Sequence, residues 1–329
     1  MELDPAVATL LNLEGENATV SSAGGGGCSS ASTFKITCKS RDTNSEKAFF
    51  MKTGQGKAAE TMFEGEHASL TALHNTVPSL CPKSYGHGRF ENNPQTSFLV
   101  TQFLHRGSHS PSSKAPSLAA KLAKLHTTPA PIPDGHDKPM FGFPVPTCCG
   151  DTPQDNTYKS TWAAFFSENR LRFILQRAEA AHGTDAELHD LVEKTASTVV
   201  PRLLSDNHVN NGHGITPVVV HGDLWSGNAS VGVLGEASNE AEDVVFDASA
   251  CYAHGEFELG IMGMFGGFGG AFWEEYHALS GRMEPRGEYG DRVRLYEVYH
   301  QLNHYAMFGG GYRGGAVGIM RALVGRYAV

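Results

Sequence analysis

The sequence predicts an α+β protein of two lobes: a small antiparallel-sheet lobe over residues 1–105 and a larger, mostly helical lobe over 106–329. Three observations carry this. A chain of 329 residues exceeds what one hydrophobic core usually supports. Its first third holds several short strand-like runs around a single helical stretch. Beyond about residue 159, apolar residues recur at helical spacing. Hydrophobic residues make up 40% of the chain, enough for a core, which excludes a disordered chain.

Taken in order, Asp4-Pro5 opens a short helix, with Asp4 as N-cap and Pro5 at the first helical position. Residues 19–22, 32–37 and 47–52 read as strands, with a turn at 42–45. A helix is predicted over about 57–76, and two more strands follow, the second at 98–104. Residues 107–116 read as a linker, 118–126 as a helix, and the Pro-rich 128–158 as irregular. Helices are predicted at about 159–181 and 185–205, short apolar strands at 218–220 and 244–246, and a glycine-interrupted helical C-terminal part.

The charge balance of 26 basic to 35 acidic residues, net -9, shows no basic stripe, so no nucleic-acid partner is expected. No apolar run reaches the roughly 18 residues of a membrane span. The acidic start, Met1-Glu2-Leu3-Asp4, does not resemble a secretory signal. Six cysteines form no CxxC pair, which argues against a zinc ribbon or a disulfide framework and for thiols in a reducing cytoplasm.

The strongest chemical signal is His221-Gly222-Asp223-Leu224-Trp225-Ser226-Gly227-Asn228, directly after a valine run. Asp-x-x-x-x-Asn is the spacing of a phosphoryl-transfer catalytic loop. There a carboxylate, Asp223, must reach the attacking hydroxyl, while a neutral oxygen ligand, Asn228, holds Mg²⁺ on the phosphate side. The bland alternative is a turn held by Asp and Asn side chains. Asp247 ends the next apolar strand and suits the second metal position, although such a residue also caps ordinary turns. Lys52 ends a strand, as does the lysine that holds the α- and β-phosphates of ATP. Met62, Glu66, Leu70, Leu73 and Val77 share one helix face, so Glu66 falls within an apolar stripe and needs a partner. Lys52 is that expected partner. Gly24, Gly25, Gly26 and Gly27 precede a strand where a phosphate-covering loop belongs, or form a plain flexible turn. His221 is expected to support the loop by packing and hydrogen bonding.

These segments resemble the fructosamine-3-kinase/ketosamine-3-kinase family, within the aminoglycoside and choline kinase group. The resemblance rests on residues 62–70, on Thr147-Cys148-Cys149-Gly150 with Gln154 and Trp162, on the loop 221–228 with its Trp225, and on 254–259, 264–268, 302–304 and 320–321. It implies a bilobal, protein-kinase-like fold. It also implies ATP- and Mg²⁺-dependent phosphorylation of the 3-hydroxyl of ribulosamines or fructosamines, free or on glycated protein lysines, as a deglycation repair. It further implies a hinge at Thr101, Gln102, Phe103 and Leu104 that contacts adenine. Trp225 then becomes a stacking surface for the sugar, with core packing as its alternative. Glu256 and Glu258 could face the cationic amine, or serve in caps and salt bridges. Cys28, directly after the four glycines, is expected to be redox-sensitive and to give a monomer or a redox-dependent homodimer, its alternative being a small packing residue. Competing readings are a kinase of the aminoglycoside or choline type and a kinase-like binding module without turnover.

Overall fold

The computed structural model describes residues 2–13, 17–24, 31–39, 46–110, 114–235 and 240–328. The chain begins with α1 (Pro5–Leu11), capped by Asp4, whose carboxylate also accepts from Glu91 N and Asn92 N. Strands β1 (Ala18–Ser22), β2 (Ser32–Lys39) and β3 (Glu46–Gln55) lead into α2 (Gly56–Thr76), followed by β4 (Ser84–Arg89) and β5 (Thr96–Gln102). The five strands form one antiparallel sheet in the order β1-β2-β3-β5-β4. Alternation along β3 sends Phe49 and Met51 into a small core with Val7, Ile36 and Val100, and sends Lys52 to the other face. A short β6 (Leu104–Arg106) leaves this sheet and pairs elsewhere.

The second half holds α3 (Leu118–Thr127), a two-residue pair β7 (Cys148–Cys149) and β8 (Thr152–Pro153), then α4 (Trp162–Phe165), α5 (Phe173–His182), α6 (Ala186–Lys194) and α7 (Val200–Leu204). The expected long helices are present, but each contains a π-helical stretch, at Phe166–Arg172 and at Thr195–Val199. Next come β9 (Val218–Val220), β10 (Ala229–Leu234), β11 (Glu242–Val245) and β12 (Cys251–Ala253). The chain ends with α8 (Glu258–Phe265), α9 (Gly270–Ser280), α10 (Tyr289–Phe308) and α11 (Tyr312–Tyr327). β6 pairs with β10, and β12 with β9. The larger core is built on Trp162, whose ring lies among Phe165, Phe166, Phe257 and Tyr296 and whose indole N–H donates to the Tyr296 hydroxyl at 2.9 Å. Leu70 and Leu73 of α2 and Val77 just after it join the same core, so one helix carries Glu66 and also anchors itself to the second half.

Candidate active site

The fully buried β9 delivers the chain to His221, Gly222 and Asp223. Gly222 has φ +84°, and a Cβ there would stand 2.0 Å from the Ser249 carbonyl oxygen, so this turn admits only glycine. The loop is pinned from below. The carboxylate of Glu258, at the start of α8, accepts from the backbone N–H groups of His221 and Gly222. The His221 ring donates through Nε2 to Phe246 O at 3.0 Å and accepts through Nδ1 from Asp223 N at 3.3 Å, which fixes a neutral tautomer. Burial lowers its pKa accordingly.

Asn228 closes the loop. Its side-chain N–H₂ donates to Asp223 O at 2.9 Å, which leaves the amide oxygen as its acceptor atom. Phe246 N donates to Asn228 O at 3.1 Å, and the next residue, Asp247, stands at φ +61°, a conformation that ordinary residues avoid. From there Asp247 Oδ1 accepts from Lys52 Nζ at 2.7 Å. The same ammonium donates to both oxygens of Glu66, at 2.7 and 2.8 Å. Burial works against the charge on Lys52, but Glu66 and then Asp247 outweigh it and hold its pKa above the usual lysine value. The structure therefore brings together Lys52, Glu66, Asp247, Asn228 and Asp223.

Asp223 opens on a cavity of about 630 Å³. Cys149 Sγ lies 3.7 Å from Asp223 Oδ1, and Trp225, Phe265, His304 and Tyr312 supply aromatic walls. Trp225 and Phe265 are 5.9 Å apart between ring centroids, and Phe265 lies 5.1 Å from His304. A Cβ on Gly227 would fall 2.1 Å from the Trp225 ring, so this glycine lets the indole fold back over the loop. Burial raises the Asp223 carboxyl to about 8; the Cys149 hydrogen bond acts against this, and the Glu258 and Asp247 charges add to it. A carboxyl poised near neutrality suits a group that takes up a hydroxyl proton.

Residues 8–326 match the family profile described as fructosamine kinase. The chain belongs to the fructosamine kinase family. This kinase is similar to the ketosamine-3-kinase of Mus musculus, at 33% identity, over 96% of this chain and 99% of the relative. It is 34% identical to a chloroplastic protein-ribulosamine 3-kinase of Oryza sativa subsp. indica, over 92% of this chain and 77% of the relative. The solved structure of a candidate fructosamine-3-kinase from Thermobifida fusca shares its fold, with a TM-score of 0.74 at 22% identity over 98% of this chain and 99% of that one.

Two sequence expectations are corrected by the kinase's interior. Glu256 is almost wholly buried and grips the Arg292 guanidinium with both oxygens, at 2.7 and 3.1 Å. Glu258 is fully buried and spent on the loop amides. Neither carboxylate faces an amine substrate. Of the residues expected to form a hinge, Thr101 is buried, Gln102 bonds both ways to the Lys83 backbone, the Phe103 ring lies under the Lys35 ammonium at 4.7 Å, and Leu104 pairs with Leu234. Gly24, two residues past β1, has φ +78° and donates its N–H to the Ser22 hydroxyl at 3.4 Å. Gly25, Gly26, Gly27 and Cys28 lie outside the described residues.

Sequence reasoning passed over Cys149 as a neighbour of Asp223. It also missed the buried network beneath, in which Gln154 bonds Thr147, Ser249 and the Tyr299 hydroxyl. Burial raises the Cys149 thiol pKa well above its ordinary value, so this group is a donor to Asp223.

Proposed function

We propose that the protein transfers the γ-phosphoryl group of ATP to the 3-hydroxyl of a ribulosamine or fructosamine, borne by a free amine or a glycated lysine. The placing of Asp223 on the cavity wall, with Lys52 and Asp247 behind the same loop, carries this reading together with the family membership. In the reaction, Asp223 takes the proton of the 3-hydroxyl as that oxygen bonds to phosphorus. The bond from phosphorus to the bridging oxygen breaks, and ADP departs. Lys52, held by Glu66, pairs with the α- and β-phosphates. The segment Thr101 to Leu104 offers backbone groups to adenine, and Gly24 to Gly27 cover the phosphates. Trp225 stacks on the sugar.

Asn228 and Asp247 fit Mg²⁺. Both offer hard oxygen atoms, the Asn228 amide nitrogen is already engaged, and the Asp247 side chain keeps 40% of its surface exposed. Two protein ligands suit a cation that retains water and phosphate oxygens. When bound, it would neutralise charge developing on the phosphates.

No helix among the described residues is long and apolar enough to cross a membrane, and action in the cytoplasm is part of the same proposal. So is redox control through Cys28, checked by activity and non-reducing gel mobility of wild type and Cys28→Ala under mild peroxide. The deciding experiment for function is single-turnover transfer from labelled ATP to ribulosyl-lysine, fructosyl-lysine, choline and an aminoglycoside. Product on the ketosamines alone, phosphorylated at the 3-hydroxyl, is expected. Transfer only to choline or the antibiotic would overturn the reading.

A further inference from the structure

The acceptor cavity extends beyond what the sugar needs. Its volume of about 630 Å³ is that of a site for a drug-sized molecule, so the substituent on the amine also lies inside it. One wall is α5, which contributes Arg177, Ala180 and Ala181. The charge of Arg177 reaches Cys148, the neighbour of the Cys149 that touches Asp223. The other arginines of this region are committed. Arg170 is buried on Asp155 O and Asn156, and Arg172 grips Glu193. Arg177 is exposed, and among the described residues it has neither ion pair nor hydrogen bond. Asp151, on the same cavity, is likewise exposed and does not pair with it. The lining thus carries separated charges of both signs.

That pattern matches a zwitterion. In a ketose adduct of a free α-amino acid, one carbon separates the sugar-bearing nitrogen from a carboxylate, so both charges enter with the sugar. In the ε-adduct of a protein lysine, the nitrogen leads only into a hydrocarbon stem. A guanidinium on the wall offers a carboxylate two parallel N–H donors. We infer that Arg177 determines acceptor specificity by reading a carboxylate on the amine substituent, so that this chain favours ketosamines of free α-amino acids. The inference rests on the ketosamine reading above.

The test compares the ribulosyl adducts of glycine and of glycinamide, which share their shape and differ in charge. Initial rates are measured at saturating Mg²⁺-ATP for wild type, Arg177→Gln and Arg177→Lys. Wild type is expected to favour the glycine adduct roughly tenfold in kcat/KM, through KM. Arg177→Gln brings the ratio close to one, and Arg177→Lys, which keeps the charge and loses the fork, restores part of it. A wild-type ratio near one overturns the inference. So does an Arg177→Gln enzyme that keeps the wild-type ratio while kcat falls on both adducts, because the arginine would then serve the transferring phosphoryl group. Turnover of neither adduct overturns the ketosamine reading itself.

Discussion

Lys52 Nζ stands 2.7 Å from Asp247 Oδ1, although 195 residues separate them in the chain. This contact ties β3 to the second residue after β11. Asp247→Ala is expected to weaken Mg²⁺-nucleotide binding by roughly tenfold or more and to lower the rate as well. Titration calorimetry with and without Mg²⁺ reads it, and unchanged affinity in Mg²⁺ would remove Asp247 from the metal site.

Asp223→Asn keeps the loop's shape and abolishes the proton acceptor. Turnover should fall by about 10²–10⁴-fold, with nucleotide affinity retained. Rapid-quench measurement of phosphate transfer checks it; near wild-type transfer would take the base assignment away from Asp223.

Gly222→Ala sets a methyl group against the Ser249 carbonyl at a positive φ. The cost is expected to be about 2–4 kcal/mol of stability, with loss of most activity, because the strain sits between Asp223 and His221, which accepts from the Asp223 N–H. Thermal unfolding and kcat are the readouts. A variant with wild-type melting behaviour would show that the turn can rearrange at little cost.

Acid should unfold the protein earlier than its carboxylates alone require. Burial pushes His254 down to about 4, and lowers His221 and His300 as well. Between about pH 6.5 and 4 the unfolded chain binds a proton at His254 and the folded chain does not, and His221 and His300 act in the same direction below pH 6.5. Stability therefore rises with pH across that window and is lost as pH falls, by about 1.4 kcal/mol per pH unit for each such group. Urea midpoints at pH 5 and pH 7 should differ more in wild type than in His254→Gln. Equal differences would mean that His254 is protonated in the fold.

The catalytic loop and its partners were legible because short-range rules govern them. Asp223 and Asn228 lie on one turn, and the helical repeat that placed Glu66 in an apolar stripe is the repeat that turns it toward Lys52. Lines of sight across the fold were not legible. Cys149 meets Asp223 across 74 residues, and Glu256 meets Arg292 across 36. Glu256 reads from sequence as facing an amine or as a cap or salt-bridge residue, and nothing local announces its distant buried partner Arg292. β12 escaped notice for a different reason: Cys251–Ala253 is as short as β9 but lacks the run of β-branched residues that marks Val218–Val220.

Helix α8 joins two things that the chemistry needs at different moments. At its first residue Glu258 grips the amides ahead of Asp223, and at its last Phe265 stands on the cavity wall beside Trp225. At 1.5 Å per residue, about 10 Å of rigid rod separates these ends. The cavity wall at Phe265 and the amides beside Asp223 are thus carried by the two ends of one strut.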